Sequence, residues 1–303
     1  MLSKWLSCAS ICQEKLKGIS IYEQMPLDSR GRRTLRPAGS GWVHEVVNGK
    51  AIIVTAGHVL KTAGPFWIRD ASGEWLKLTT LGIDDLADVG VGATHAIANS
   101  YVQSFSQSPV TKGQEVYAVG LCQYGDNLVQ VNGSVANENQ TFGSALPEQK
   151  FSLLQIAMIT QQGMSGAPVF DERGAIVGMM IKKFQEYGLA LPMAVLSRVI
   201  DRILKNQHSE VNIGIKVLNC AAHFEETTKS IECGILVGSV DKDSKADLAG
   251  LRANDLIFEI NGRKIAGLVC ELHEACFLND EVTLTIIRGP DRARLSLLLT
   301  LKE

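Results

Sequence analysis

No apolar run in this chain approaches the ~20 residues needed to cross a bilayer, and no secretory core follows the early Lys4. Residues 1–17, whose apolar positions are interrupted by Ser3, Ser7, Ser10 and Gln13, read instead as an amphipathic helix. Excess charge is also lacking. Lys and Arg number 30 against 32 Asp and Glu, a net charge of −2, which gives no reason to expect nucleic acid or an anionic membrane as the main partner. The one basic cluster, Arg30, Arg32, Arg33 and Arg36, lies in a loop-like stretch and reads as solvated. A disulfide framework is missing as well. The seven cysteines (Cys8, Cys12, Cys122, Cys220, Cys233, Cys270 and Cys276) are odd in number and scattered, as befits small buried hydrophobes in a reducing compartment. Cys8 and Cys12 share a helix face but have no His or Cys neighbours, so no metal site is expected. These absences together point to the cytoplasm. A mature form stripped of a periplasmic or organellar leader would read the same way.

What is present is enough for two ordinary domains: 303 residues, 46% of them apolar. No internal repeat or low-complexity tract interrupts them. Ile19–Tyr22 alternates as a short strand; Gly41–Val47 and Ala51–Thr55 flank Asn48-Gly49, a strong hairpin signal. Phe66–Arg69 and Trp75–Thr80 flank a second turn at Asp70–Gly73. A second strand set runs through Glu115–Val119, Leu128–Val131, Phe151–Ile159, Ala167–Phe170 and Ala175–Ile181, with a turn at Asp171–Gly174. Ala194–Lys205 then carries apolar residues at helical spacing and reads as a connector. The boundaries are therefore a helical segment 1–17, a β domain 18–206 and a smaller unit 207–303. That last unit holds strands at Ile213–Leu218, Ile235–Val240, Leu256–Ile260, Val282–Ile287 and Leu295–Leu301, with a short helix at Asp243–Gly250.

The chemistry sits in two short segments, Thr55-Ala56-Gly57-His58 and, far downstream, Gly163-Met164-Ser165-Gly166-Ala167-Pro168. Serine is a poor nucleophile at neutral pH and needs an adjacent base. Ser165 at a glycine-flanked turn supplies the nucleophile and His58, after a buried strand, the base. Gly163 leaves room for substrate backbone, and its N–H with that of Ser165 would form an oxyanion hole. His44 and His95 lie on strand-like segments and read as surface or core residues. Asp84, Asp85 and Asp88 are candidates for the orienting carboxylate. Asp88, which leads into Val89-Gly90-Val91, is preferred, with Asp85 as the alternative.

These segments resemble the trypsin-like, chymotrypsin-fold serine proteases, and specifically the HtrA/Deg family. The likeness rests on Ile19–Tyr22, Gly39-Ser40-Gly41-Trp42, Thr55–Val59, the strand after Asp88, Lys112–Gly120, Gly163–Pro168 and Gly188–Pro192. It implies a mainly β fold of two six-stranded barrels with the active site between them, and no cofactor. It also implies a homotrimer built through the N-terminal segment. Met164 departs from the family's usual aspartate or asparagine, and Ala167 from its second glycine; neither change removes a catalytic group. The specificity pocket is expected to involve Ile159, Thr160 and the Ile181–Phe184 strand, to lack a carboxylate and to favour an aliphatic residue; Lys182 and Lys183 read as a solvated edge.

Asp243–Ile257 followed by Ile260-Asn261-Gly262 resembles the signature of PDZ domains, which bind an extended peptide as an added strand. The loop Asn212-Ile213-Gly214-Ile215 matches their carboxylate-binding loop, with backbone N–H groups for a peptide C-terminus and Ile213 and Ile215 shaping an apolar pocket. The expectation is a serine endopeptidase acting on unfolded or exposed polypeptide, its PDZ domain binding peptide C-termini. Its rivals are a catalytically silent PDZ scaffold and a processing protease with one defined substrate.

Overall fold

The computed structural model describes residues 18–69, 73–95, 102–122, 127–141, 150–207, 211–225, 230–289 and 291–301. The helix expected over residues 1–17, the trimer contact assigned to it and most of the Asp70–Gly73 turn lie outside them. The chain divides into two compact units, residues to 140 with 153–208, and 141–152 with 209–303.

The first unit holds two closed six-stranded barrels. In one, β1 (Ile19–Gln24), β2 (Leu35–Val47), β3 (Lys50–Ala56), β4 (Phe66–Arg69), β5 (Trp75–Asp84) and β6 (Val89–His95) pair in the order β1-β2-β3-β6-β5-β4. Antiparallel β4–β1 pairing closes the ring. Asn48 and Gly49 join β2 to β3 with φ of 51° and 74°, the left-handed pair a two-residue hairpin demands. Trp42, Ile21, Ile53 and Ile68 fill the interior with no exposure. A single 3₁₀ turn, Gly57–Leu60, follows β3.

The other barrel comprises β7 (Glu115–Leu121), β8 (Leu128–Gln140), β9 (Leu153–Ala157), β10 (Pro168–Phe170), β11 (Ile176–Phe184) and β12 (Tyr187–Pro192), ordered β10-β11-β12-β9-β8-β7. The Asp171 carboxylate accepts from the N–H groups of Arg173 and Ala175, each at 2.9 Å, and shapes the turn from β10 to β11. Helix α1 (Met193–Leu204) buries Val195, Leu196, Val199, Ile200 and Ile203 along one stripe. That stripe packs on β5, β6 and β11.

The second unit contains β13 (Ile215–Glu225), β14 (Ser230–Val240), α2 (Lys245–Leu248), β15 (Leu256–Ile260), β16 (Arg263–Lys264), α3 (Val269–Leu278), β17 (Glu281–Arg288) and β18 (Ala293–Thr300). Its sheet runs β13-β14-β15-β17-β18, with β16 paired to β15. Ile235, Val237, Ala246, Ile257, Val282, Leu284, Ile286 and Leu299 form its core. The Ser244 hydroxyl caps α2 by accepting the Asp247 N–H at 3.2 Å. The fully buried Asp255 takes both Nε and Nη2 of Arg288 at 2.7 Å.

Helix α3 was not expected from the sequence. It buries Cys270, Leu272, Cys276 and Phe277 on more than one side, so it lacks the polar face that reveals a surface helix. The carboxylate of Glu271 accepts the N–H groups of Ala266 (3.0 Å) and Leu268 (2.9 Å) at its start. Against α3 lies the chain just before β9. Phe151 meets Phe277 and His273 edge-on, each at 5.1 Å between ring centres. Ser152 donates both its N–H, at 2.7 Å, and its hydroxyl to Glu274. The strand expected from Phe151 therefore starts at Leu153, and the segment joins the second unit.

Burial raises the Glu274 carboxyl above its ordinary range, a shift that the Ser152 hydrogen bonds only partly offset and the charge of Glu271 reinforces. Because the folded-state pKa lies above the unfolded one, stability falls as pH rises through that interval. Glu274→Gln keeps an oxygen acceptor and removes the charge. Urea unfolding should find the variant more stable than wild type at mildly alkaline pH. The difference should vanish below the ordinary glutamate range, where both states of the wild type are protonated.

Candidate active site

β3 ends in the 3₁₀ turn that carries His58, and β6 begins just after Asp88. These neighbouring strands pair from Lys50↔His95 to Ala56↔Val89, so the ladder itself delivers both residues to one rim of the barrel. Asp88 has φ 55°, a left-handed conformation that Asp tolerates better than most residues. Its backbone carbonyl accepts the Gly57 N–H at 2.8 Å and its Oδ1 the His58 N–H at 2.8 Å. Its Oδ2 lies 2.7 Å from His58 Nδ1. An ionised carboxylate only accepts, so Nδ1 carries the hydrogen and a neutral ring keeps its lone pair on Nε2.

The other two carboxylates are occupied elsewhere. Asp84 is buried and its Oδ1 accepts the Ala87 N–H at 2.9 Å. Asp85 is exposed and pairs with Lys61 at 3.1 Å.

Ser165 stands in a turn between β9 and β10. Gly163 has φ 98° and Gly166 φ 84°, values that favour glycine. The carbonyl of Gln161 accepts the Met164 N–H at 3.3 Å, and that of Met164 accepts the Ala167 N–H at 2.9 Å. Gly166 N–H reaches Met180 O at 2.7 Å, anchoring the turn on β11. Among the described residues, the N–H groups of Gly163 and Ser165 donate to no protein acceptor. The Ser165 hydroxyl likewise carries no hydrogen bond among them. Met164 and Ala167, the two departures from the family pattern, are buried in the core of the second barrel.

Beside the turn, the backbone of Gly188 faces three side chains. A Cβ there would collide with Met180 Cε and lie 2.8 Å from Thr160 Cγ2 and 3.4 Å from Met158 Cγ. Thr160 is 8% exposed, and its hydroxyl has no hydrogen-bond partner among the described residues. Ile159 projects outward, 79% exposed, while Lys182 and Lys183 are exposed on β11. Met158, Thr160 and Met180, all uncharged and buried, thus pack around Gly188. The place of Met180 beside Gly188 was not legible in the sequence, because it depends on the β11–β12 register, in which Met180 pairs with Ala190.

In the second unit β13 is an edge strand, paired among the described residues only with β14. Before it, Ile213 is buried in the unit's core, its carbonyl accepting the Ala246 N–H at 3.0 Å. Gly214 N–H donates to Asn212 Oδ1 at 2.9 Å. The Ile213 N–H has no partner among the described residues. Ile215 is half-buried and opens the pairing with Val240.

Gly166 tests the packing of the turn that carries Ser165. A Cβ there would collide with Ser40 O and Thr55 Oγ1 and sit 2.8 Å from Ala56 N. Gly166→Ala should cost about 2–3 kcal/mol in urea unfolding. Gly49→Ala, also at positive φ but with nothing within 4 Å of the new methyl, should cost only about 1 kcal/mol.

Residues 39–179 match the trypsin-like peptidase domain and residues 236–288 the PDZ domain. The serine protease Do-like HtrA of Bacillus subtilis is 26% identical over 288 residues, covering 88% of this chain and 64% of that protein. A probable periplasmic serine endoprotease, DegP-like, of Brucella suis is 27% identical over 244 residues, 75% of this chain and 45% of that protein. The chain thus spans less than two thirds of the length of these relatives. Among solved structures, the HtrA-type protease AlgW with decapeptide aligns with a TM-score of 0.70 at 17% identity, covering 97% of both chains. The serine endoprotease from Yersinia pestis aligns with a TM-score of 0.58 at 20% identity, covering 97% of this chain and 96% of that one.

Proposed function

We propose that this chain, a trypsin-like peptidase domain joined to a PDZ domain as in the HtrA-type proteases, is a serine endopeptidase. The observation that carries the reading is the 2.7 Å contact between His58 Nδ1 and Asp88 Oδ2. It supports a base of defined tautomer, with Nε2 free to take a proton from Ser165.

In the proposed reaction Ser165 Oγ attacks a peptide carbonyl carbon while its proton passes to His58 Nε2. The carbonyl oxygen becomes an oxyanion, received by the N–H groups of Gly163 and Ser165. His58 returns the proton to the departing amine, leaving an acyl group on Ser165. Water then attacks, deprotonated by the same ring, and the acid leaves. Asp88 remains ionised, holding the ring and stabilising its charged form. Hydrogen bonds of this kind tighten when substrate binds, which accommodates the uncommitted hydroxyl of Ser165.

The substrate is a polypeptide that can enter as an extended, unfolded segment. Met158, Thr160 and Met180 would receive an aliphatic side chain before the scissile bond, with no carboxylate to select Lys or Arg. The PDZ domain would bind a peptide C-terminus by strand addition to the free edge of β13. The Asn212–Ile215 loop lies at that strand's start, and the Ile213 N–H is its uncommitted donor.

A fluorophosphonate probe, which reacts with an activated serine, tests the site. Labelling should vanish in Ser165→Ala and His58→Ala and slow by roughly 10³–10⁴ in Asp88→Asn. Asp85→Asn, which removes only an exposed ion pair, should stay within about twofold of wild type. Folded wild type that does not label, even with C-terminal peptides added, would shift the reading to a silent PDZ scaffold.

A further inference from the structure

Ser40 makes four hydrogen bonds around the nucleophile turn, although it lies far from Ser165 in sequence and on the other barrel. It is part of β2 and has no exposure. Its hydroxyl donates to the carbonyl of Gly163 at 2.6 Å and accepts the Leu121 N–H at 2.8 Å. Its backbone N–H donates to the carbonyl of Ser165 at 2.8 Å. Its carbonyl accepts the Thr55 hydroxyl at 2.6 Å, on the strand that leads to His58.

The two carbonyls that end on Ser40 lie either side of the Met164–Ser165 peptide. Pinning both leaves that peptide, with the Ser165 N–H, little freedom to rotate. The Gly163 N–H belongs to the same residue as the first anchored carbonyl, one peptide unit before it, at a glycine whose φ of 98° leaves it conformationally permissive. The hydroxyl's single donor is committed to the Gly163 carbonyl and one of its lone pairs to the Leu121 N–H, so its removal leaves both partners without this bond. We propose that Ser40 is a positioning residue for the acyl-transfer site, clamping the carbonyls of Gly163 and Ser165 so that the N–H groups of the same two residues face the developing oxyanion. The clamp rests on the serine-protease reading above. Ser40 touches neither substrate nor reacting atoms and acts through the turn.

A misaligned oxyanion hole weakens transition-state binding and leaves ground-state binding of an extended peptide largely intact. A merely structural role would lower stability without that signature. The experiment compares wild type, Ser165→Ala, Ser40→Ala and Ser40→Cys in full-length protein, with fluorescein-labelled casein as substrate and a peptide boronic acid as the tetrahedral analogue. Thermal melts and near-ultraviolet circular dichroism establish that each variant is folded at assay temperature. Ser40→Ala should lower kcat about 10–100-fold, with KM within about twofold. Its affinity for the boronic acid should fall by the same factor as kcat/KM. Ser40→Cys, which keeps a weak donor in similar volume, should fall between the two and carries the test if Ser40→Ala does not fold. Equal kcat in wild type and the folded Ser40 variants would overturn the clamp alone, as would a loss confined to KM or boronate affinity that does not track kcat/KM. A wild type without Ser165-dependent hydrolysis would overturn the clamp together with the reading beneath it.

Discussion

A closed barrel has no free strand edge, so two barrels cannot be joined by extending a sheet from one to the other. Ser165 and His58, the proposed nucleophile and base, nevertheless stand on different barrels of this protein, and something other than strand pairing must fix their register. The bonds from Ser40 supply that link. They run from β2 to the Leu121 N–H on β7 and to the turn carrying Ser165. The close approach of Gly166 to Ser40 O and Thr55 Oγ1 is the steric counterpart. A seam of directional hydrogen bonds centred on the buried Ser40 tolerates little displacement, since any shift leaves polar groups unpaired. Chemistry that depends on sub-ångström placement is well served by such a joint.

The division of labour within the first unit follows from this seam. Neighbouring strands of one barrel deliver His58 and Asp88, and their relation is set by the β3–β6 ladder. The other barrel delivers Ser165 on a turn whose glycines occupy the left-handed region. The turn is anchored on β11 through the carbonyl of Met180, and the side chain of the same residue packs against Gly188. The position of the Ser165 turn and the packing around Gly188 are therefore coupled through one short strand segment.

The second unit is stabilised by different means. A compact apolar core is supplemented by the buried Asp255–Arg288 pair, in which both charges are hydrogen-bonded and Gly250 O takes a further Arg288 donor at 2.7 Å. Pairing and saturation are what make such burial tolerable. Glu274 is the contrasting case, a carboxylate raised by burial and held mainly by Ser152. The edge strand β13 leaves backbone groups open on one side, as strand addition requires.

Local chemistry by itself determined a good deal of this protein. Asn48-Gly49 dictates the β2–β3 hairpin because both residues accept left-handed φ; the apolar stripe of α1 and the cap at Ser244 are equally local. The residue types around His58 and Ser165, with their flanking glycines, were legible for the same reason. Tertiary structure alone decided the rest. Helix α3 is buried on several sides and carries no periodic signature, and Phe151 leaves its expected strand for a partner on that helix. Asp84, Asp85 and Asp88 are nearly interchangeable as text. Only the turn into β6 aims one at His58, turns one inward and leaves one to Lys61. Met180 and Ser40 gain their meaning from strand register and barrel closure, long-range relations that no window of sequence contains.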